Sequence, residues 1–436
     1  MIETGILRNR WWNVAASLMA QLVGSGAINI FAFGVFLKPV ANDLGLGRGV
    51  LSSALLLSTL MTAVGCLAFG ALFDRVGIRA ALLPAIALYA LSVAALSLLR
   101  PSLTIVYTLF AVSGFFGTGQ TPVGYSKVVS QWFNKERGLA LGIIQAGVGL
   151  GGIFVAQLSR LLIRDLGWRK AEIGLGIVIF IVAFMPVALF IREPASVLAA
   201  RRSERQGHGP AKVSSGLTST EAWWGSRQFW MLAVAFFIVV LTANGPLIHA
   251  VALLTDRGIS ISRATAALSA AGLAMIVGRL LSGYLLDRFF GPYVAVFCVG
   301  GAMTGLALLI SGAGGLAPVV GVILCGLGMG AEGDIVPYFV SRYFGLRSFG
   351  QIYGYLFAVF MIGVGIGPSL MGFSFDHWHS YAPMFIIFEF ALLLASIIFL
   401  RLGPYRYPPE EHLAEGDEKG ALLRASSPAI GDVSRP

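Results

Sequence analysis

Apolar residues run along this chain in blocks of about twenty, separated by short clusters of charge, glycine and proline. A helix rises 1.5 Å per residue, so a block of about twenty crosses a hydrocarbon core of about 30 Å. The pattern predicts twelve such spans, near 14–37, 49–73, 78–99, 102–127, 138–163, 170–191, 229–254, 263–286, 292–313, 316–341, 348–373 and 380–400. Between the sixth and seventh lies a hydrophilic stretch, 192–228, with RRSERQGHGP at its centre. The expected fold is all-α: a six-helix bundle over 1–191, a cytoplasmic linker over 192–228, a second six-helix bundle over 229–401, and a disordered polar tail over 402–436.

Polar residues are spread unevenly over the spans. Span one carries Gln21, Ser25 and Asn29; span four carries Thr118, Gln120, Thr121, Tyr125 and Lys127. Span seven has Thr242, Asn244 and His249, and span ten has Glu332, Asp334 and Tyr338. The stretch IVIFIVAFMPVALFI (177–191) in span six has no polar side chain, and spans three and nine are nearly as bland. Polar groups at membrane depth need protein or water partners. Spans one, four, seven and ten are therefore expected to line a central aqueous pathway, and three, six and nine to face lipid. One charge stands out: Arg279 in LAMIVGRLLSGYLLDRF (273–289), eight residues before Asp287 and so about 12 Å deep. Intramembrane charges mark substrate or ion pathways.

The halves repeat. GALFDRVGIR (70–79) follows span two and GYLLDRFFG (283–291) follows span eight, so that Gly70 and Asp74 recur 213 residues later as Gly283 and Asp287. QWFNKERGLALG (131–142) and RYFGLRSFGQIYG (342–354) are a second echo. Six spans plus six in parallel orientation is a transporter pattern. At 213 residues before Arg279 stands Cys66, so the arginine breaks the repeat.

Composition narrows the class. Of 436 residues 57% are hydrophobic and 12% charged, which excludes a soluble domain. The net charge of +10 would suit nucleic acid, but the basic residues sit in loops between spans, as the positive-inside rule requires. With the N-terminus inside, 21 of the 31 basic residues fall on the cytoplasmic side and 9 outside. Both termini and the linker are thus expected in the cytoplasm of a cell with a bacterial-type inner membrane; Arg160, Arg164, Arg169 and Lys170 run against the trend. The three cysteines lie in apolar runs without metal-ligand spacing, and no cofactor or metal is expected. GVGLGG (147–152) lacks the strand–turn–helix context of a nucleotide loop and no Walker Lys-Ser/Thr pair follows, so neither an ATP-driven pump nor an enzyme is indicated. The first run, behind Arg8 and Arg10, is long enough to span and shows no clear cleavage site.

GALFDRVGIR resembles the loop motif of the major facilitator superfamily, with Gly70, Asp74, Arg75, Gly77 and Arg79 in place. WFNKERGLALGIIQAG (132–147) is similar to the fifth-helix signature of its monocarboxylate and oxalate–formate transporters, and GRLLSGYLLDR (278–288) to their eighth helix. The resemblance implies that Arg279 binds a substrate carboxylate, and that Tyr125 matches a span-four tyrosine facing substrate in the oxalate group. It also implies an aspartate one turn before the arginine in animal-type members, where this chain has Met275, and a first-helix lysine where this chain has an apolar residue, Phe31. A second cation in helix eleven of the oxalate exchanger has no counterpart in YGYLFAVFMIGVGIGP. A single cation suits a monocarboxylate.

Each candidate has a second reading. Arg279 is a bidentate carboxylate clamp or a structural partner of Glu332 or Asp334. Glu332 and Asp334 exchange protons with transport or fix span ten in a polar network. His249 meets substrate or a proton, or is satisfied beneath an external loop. Tyr125 and Gln120 shape the pocket with Asn29, or Tyr125 anchors the interface. Lys127 is expected to snorkel to the cytoplasmic surface. Asp74, Arg75, Asp287 and Arg288 form a cytoplasmic gate or anchor topology. The reading is a monomeric secondary transporter, with a small organic carboxylate, a proton and the bilayer as its partners. Proton-driven efflux of an amphipathic compound and a transporter-like sensor are the alternatives.

Overall fold

The computed structural model describes residues 9–199, 216–311 and 315–407. The centre of the linker and most of the expected disordered tail lie outside the described residues. Among those described the chain is helical apart from turns and one isolated bridge, Gly216 to Gly345. Eleven helices are long and apolar enough to cross a membrane: Val50–Arg75, Ile78–Leu98, Leu103–Trp132, Arg137–Leu166, Trp168–Phe190, Arg227–Ile248, Ser262–Leu286, Gly291–Ile310, Ala317–Tyr343, Phe349–Phe375 and Ala382–Leu400. A bent pair, Trp11–Asn29 with Phe33–Leu44, precedes them and supplies span one. The architecture is two six-helix bundles.

Three of the four spans singled out by their polarity are interrupted, each for a local reason. Span one bends by 44° at a π-helical stretch, Ala27–Ala32, just beyond Gly24 and Gly26. In span four a 3₁₀ turn, Thr118–Gln120, ends at extended Thr121 (φ −80°, ψ 163°), and Pro122 starts the next helix. Proline excludes the helical conformation from the residue before it but suits a first helical position. Span seven contains Pro246, and His249 (φ −89°, ψ 0°) separates it from a short helix, Ala250–Asp256.

Span six exposes Ile173, Ile177, Ile181, Met185 and Leu189, one helix face at every fourth residue. Exposed apolar stripes also run along span eight (Leu273, Val277, Leu280, Tyr284) and span twelve (Ile386, Phe390, Leu393, Ile397). The expectation named spans three, six and nine as lipid-facing and assigned no face to eight or twelve. Average polarity misses two-faced helices, which carry polar groups on one side only.

The halves close on each other at the face where the linker enters. A Cβ on Gly70 would lie 2.4 Å from the Gly350 carbonyl oxygen, and one on Gly283 would lie 2.5 Å from that of Gly138. Only hydrogen fits at these crossings, so spans two and eleven, and eight and five, meet backbone to backbone. Two of the basic residues that weaken the orientation count have partners at the opposite face. Arg169 donates to the Ser97 and Leu99 carbonyls and to Asp43, and Arg164 pairs with Asp165.

Candidate functional site

Arg279 reaches from span eight across the interface between the halves. Its Nη1 donates to the Gln145 carbonyl of span five, Nη2 lies 3.8 Å from the Met275 sulfur, and Nε is buried without a partner. Among the described residues no carboxylate lies within ion-pair distance of it. Asp334, Glu332 and Tyr353 act on it electrostatically from further away. Gln145 also donates through Nε2 to the Gly333 carbonyl of span ten at 2.8 Å. Gln145 thus joins spans five, eight and ten, and sequence reasoning missed it.

Span ten turns its two acids to different places. Residues two apart on a helix point about 200° apart. Asp334, fully buried, accepts from Ser282 Oγ at 2.9 Å on span eight, while Oδ1 has no partner. It faces the same interface as Arg279: a Cβ on Gly142 of span five would lie 2.7 Å from the Arg279 carbonyl oxygen and 3.5 Å from Asp334 Oδ2. Glu332 instead lines a cavity inside the second bundle, with Thr242, Cys298 and Cys325.

The other substrate candidates are scattered. Tyr125 and Gln120 meet across the break in span four, the hydroxyl donating to Oε1 at 2.6 Å, and both are buried; Gln120 Nε2 has no partner. Asn29 accepts from the Tyr89 hydroxyl at 3.0 Å and so faces span three within its own bundle. His249 lies at the break in span seven; its Nε2 donates to the Pro368 carbonyl (3.1 Å), leaving Nδ1 to accept from the Tyr381 hydroxyl (3.3 Å). It belongs to a contact among spans seven, eleven and twelve.

The repeated aspartates do the same thing in mirror image. Asp74 accepts from the amides of Gly350 (3.0 Å) and Gln351 (2.8 Å), at the start of span eleven. Asp287 accepts from Gly138 (2.7 Å) and Leu139 (2.8 Å), at the start of span five. Each carboxylate caps a helix N-terminus of the opposite half, where unpaired amides and the helix dipole attract negative charge. Burial pushes the Asp287 carboxyl up to about 6, against the lowering effect of the two amides, Arg342 and Arg137. Lys127 does not snorkel to water. It is buried, and Nζ donates to Asp74 Oδ1 at 2.6 Å and to the Phe73 carbonyl at 3.0 Å. Arg288 lies over the Tyr284 ring. Two arginines absent from the expected gate add ties: Arg137 donates to Ser341 (2.9 Å), and Arg342 to Asn134 Oδ1 and carbonyl (both 2.8 Å).

The family model of the Major Facilitator Superfamily matches residues 19–356. The chain belongs to the major facilitator superfamily. This major facilitator protein is a multi-pass transporter and not an enzyme. Its relatives include the MFS-type transporter pytF of Aspergillus terreus, 29% identical over 283 residues, 64% of this chain and 89% of that protein. Human monocarboxylate transporter 11 is 26% identical over 317 residues, 68% of this chain; the match spans 64% of the human protein, a little under two thirds. Among solved structures, the proton:xylose symporter XylE superposes with a TM-score of 0.75 at 14% identity, covering 93% of this chain and 98% of its own. The E. coli fucose:proton symporter FucP gives 0.69 at 17% identity, covering 90% and 98%. At such identities the likeness is one of fold.

Proposed function

We propose that this transporter carries a small organic monocarboxylate by alternating access, coupled to protons. The observation that carries the reading is Arg279: a guanidinium at the meeting of the two halves, with no carboxylate in ion-pair reach among the described residues and with a buried Nε unpartnered. A carboxylate ligand would take the fork in bidentate fashion and supply the charge that burial demands. Similarity to proteins named monocarboxylate transporters supports the same substrate class.

The opposite wall would come from Gln120 and Tyr125, which bring an unpartnered amide nitrogen to the break in span four. Asp334 is the better proton carrier of the two acids, because it shares the Arg279 interface and is hydrogen-bonded to Ser282 on the same helix as the arginine. Substrate arriving at Arg279 would change the electrostatics at Asp334, which couples the two ligands. Asn29 and His249 are left outside the substrate group. The linker face is read as cytoplasmic, in an inner-type membrane, so this is a form of a monomeric transporter closed to the cytoplasm.

The test is a thermal-shift screen of a carboxylate panel on wild type and Arg279→Lys. A ligand that stabilises wild type and fails on the lysine variant is expected, since lysine cannot reproduce the planar fork. Equal stabilisation of both proteins by every active compound would sink the clamp. Proton uptake driven by substrate should vanish in Asp334→Asn and survive in Glu332→Gln.

A further inference from the structure

Each bundle encloses a cavity lined by one buried acid, and the two differ in their oxygens. In the second bundle Glu332 shares a small cavity with Thr242, two thiols and apolar side chains. The Thr242 hydroxyl donates to the Ile238 and Val239 carbonyls, and Thr242 and Glu332 are the two oxygen-bearing side chains on that lining. In the first bundle a small cavity is lined by Glu172, Asn29 and Ser113 among apolar side chains that include Phe33, Phe36 and Phe110. Glu172 is 6% exposed and Ser113 2%. The Ser113 hydroxyl has no partner, and Glu172 makes none of the hydrogen bonds or ion pairs seen among the described residues.

Asn29 lies within the π-helical stretch where span one bends. Its Oδ1 takes one hydrogen bond from Tyr89 and keeps a second lone pair. A π stretch departs from the regular α-helical ladder, and interrupted membrane helices offer backbone carbonyls to sodium ions or protons. Carboxylate, amide and hydroxyl oxygens lining one cavity are donors of the kind a hard cation takes. One carboxylate with no other charged side chain lining the cavity balances a single positive charge; a divalent ion would leave a buried excess.

We propose that Glu172, Asn29 and Ser113, with carbonyls of the bent first span, form a sodium-binding site inside the first bundle. Occupancy would set the bend of span one, whose Phe31 ring packs against Gly152 of span five. Span five carries Gln145, the partner of Arg279. Sodium would thereby act on the substrate interface from within one bundle.

The experiment uses the purified full chain with no carboxylate present, so its outcome is independent of the substrate reading. Melting temperature is followed as NaCl replaces KCl or choline chloride at constant ionic strength and pH. Wild type is expected to gain a saturable, sodium-specific rise, absent in Glu172→Gln and shifted about tenfold or more to higher sodium in Ser113→Ala, the loss of one ligand oxygen. Should Glu172→Gln not fold, binding of radiolabelled sodium to Ser113→Ala reads the same loss. Equal melting in all three salts, an undiminished response in Glu172→Gln, or a response to pH without preference for sodium would each overturn the proposal.

Discussion

The Met275 sulfur lies 3.8 Å from Nη2 of Arg279, one turn earlier on the same helix. The resemblance implies an aspartate at that position in animal-type members, where it would pair with the arginine inside span eight. Here the neighbouring acids, Glu332 and Asp334, stand on span ten, beyond ion-pair reach. The positive charge is therefore left facing the other half.

Met275→Asp should restore the intrahelical pair and occupy the fork that a substrate needs. A hydrogen bond to a charged group contributes about 1.5–3 kcal/mol, so carboxylate affinity should fall by about tenfold or more. Isothermal titration of a compound found in the carboxylate screen checks this. Unchanged or tighter binding would show that Arg279 does not meet the substrate directly.

Asp74→Asn should harm the protein more than Asp287→Asn, although the two caps are mirror images. Asp74 also neutralises Lys127, whose side chain is 3% exposed, and a buried charge stripped of its partner costs about 3–5 kcal/mol. Asp287 has no such dependent lysine, since Val340 stands 213 residues after Lys127. Adding Lys127→Met to Asp74→Asn should recover most of the lost melting temperature. Absence of recovery would mean that the two amides of span eleven, rather than the lysine, dominate.

Much of this was legible in the sequence, and the remainder fails for identifiable reasons. Twelve spans follow from hydropathy, and the mirrored caps follow from an offset that carries Asp74 onto Asp287. The identity of each cap's partner does not follow, because the amides of Gly138 and Gly350 come from the other half. Lys127 looked like a snorkelling residue near a helix end; its burial is decided by Asp74 on another span. Glu332 and Asp334 could not be ranked until the helices on either side of span ten were known. Glu172 escaped notice as a single acid one turn into an otherwise bland span, and the cavity that gives it meaning is built by residues from spans one to four.

Acidification of the linker face should favour the closed form. In the closed form Asp287 holds its proton with a pKa near 6, raised from 3.8; in an open form the carboxyl would meet water and return to the ordinary range near 4. The closed form therefore binds more protons between about pH 6 and pH 4, and lowering the pH shifts the equilibrium toward it. From pH 7 to pH 5 the shift should be about tenfold, or about 1.4 kcal/mol. Spin-label distances across the linker face, measured against pH, should show it in wild type and lose it in Asp287→Asn. Opening on acidification would reverse the sign and defeat the assignment.

Gly138→Ala should prise the closed face apart. A Cβ there would stand 2.2 Å from the Gly283 carbonyl oxygen and 3.0 Å from Asp287 Oδ1, so it strikes backbone and cap together. The Gly283 carbonyl is backbone and cannot yield by a rotamer change, and overpacking of this kind costs about 1–3 kcal/mol. That cost falls only on the form in which spans five and eight touch. The population should move about tenfold toward a linker-open form. A cysteine introduced at Ser341, buried against Arg137 in the closed form, reports the change by its rate of maleimide labelling, since native Cys66 and Cys325 are buried and Cys298 half-buried. Gly34→Ala is the control, because nothing lies within 4 Å of the added carbon. Equal labelling rates in the two alanine variants would mean that the close crossing at Gly138 does not hold the gate.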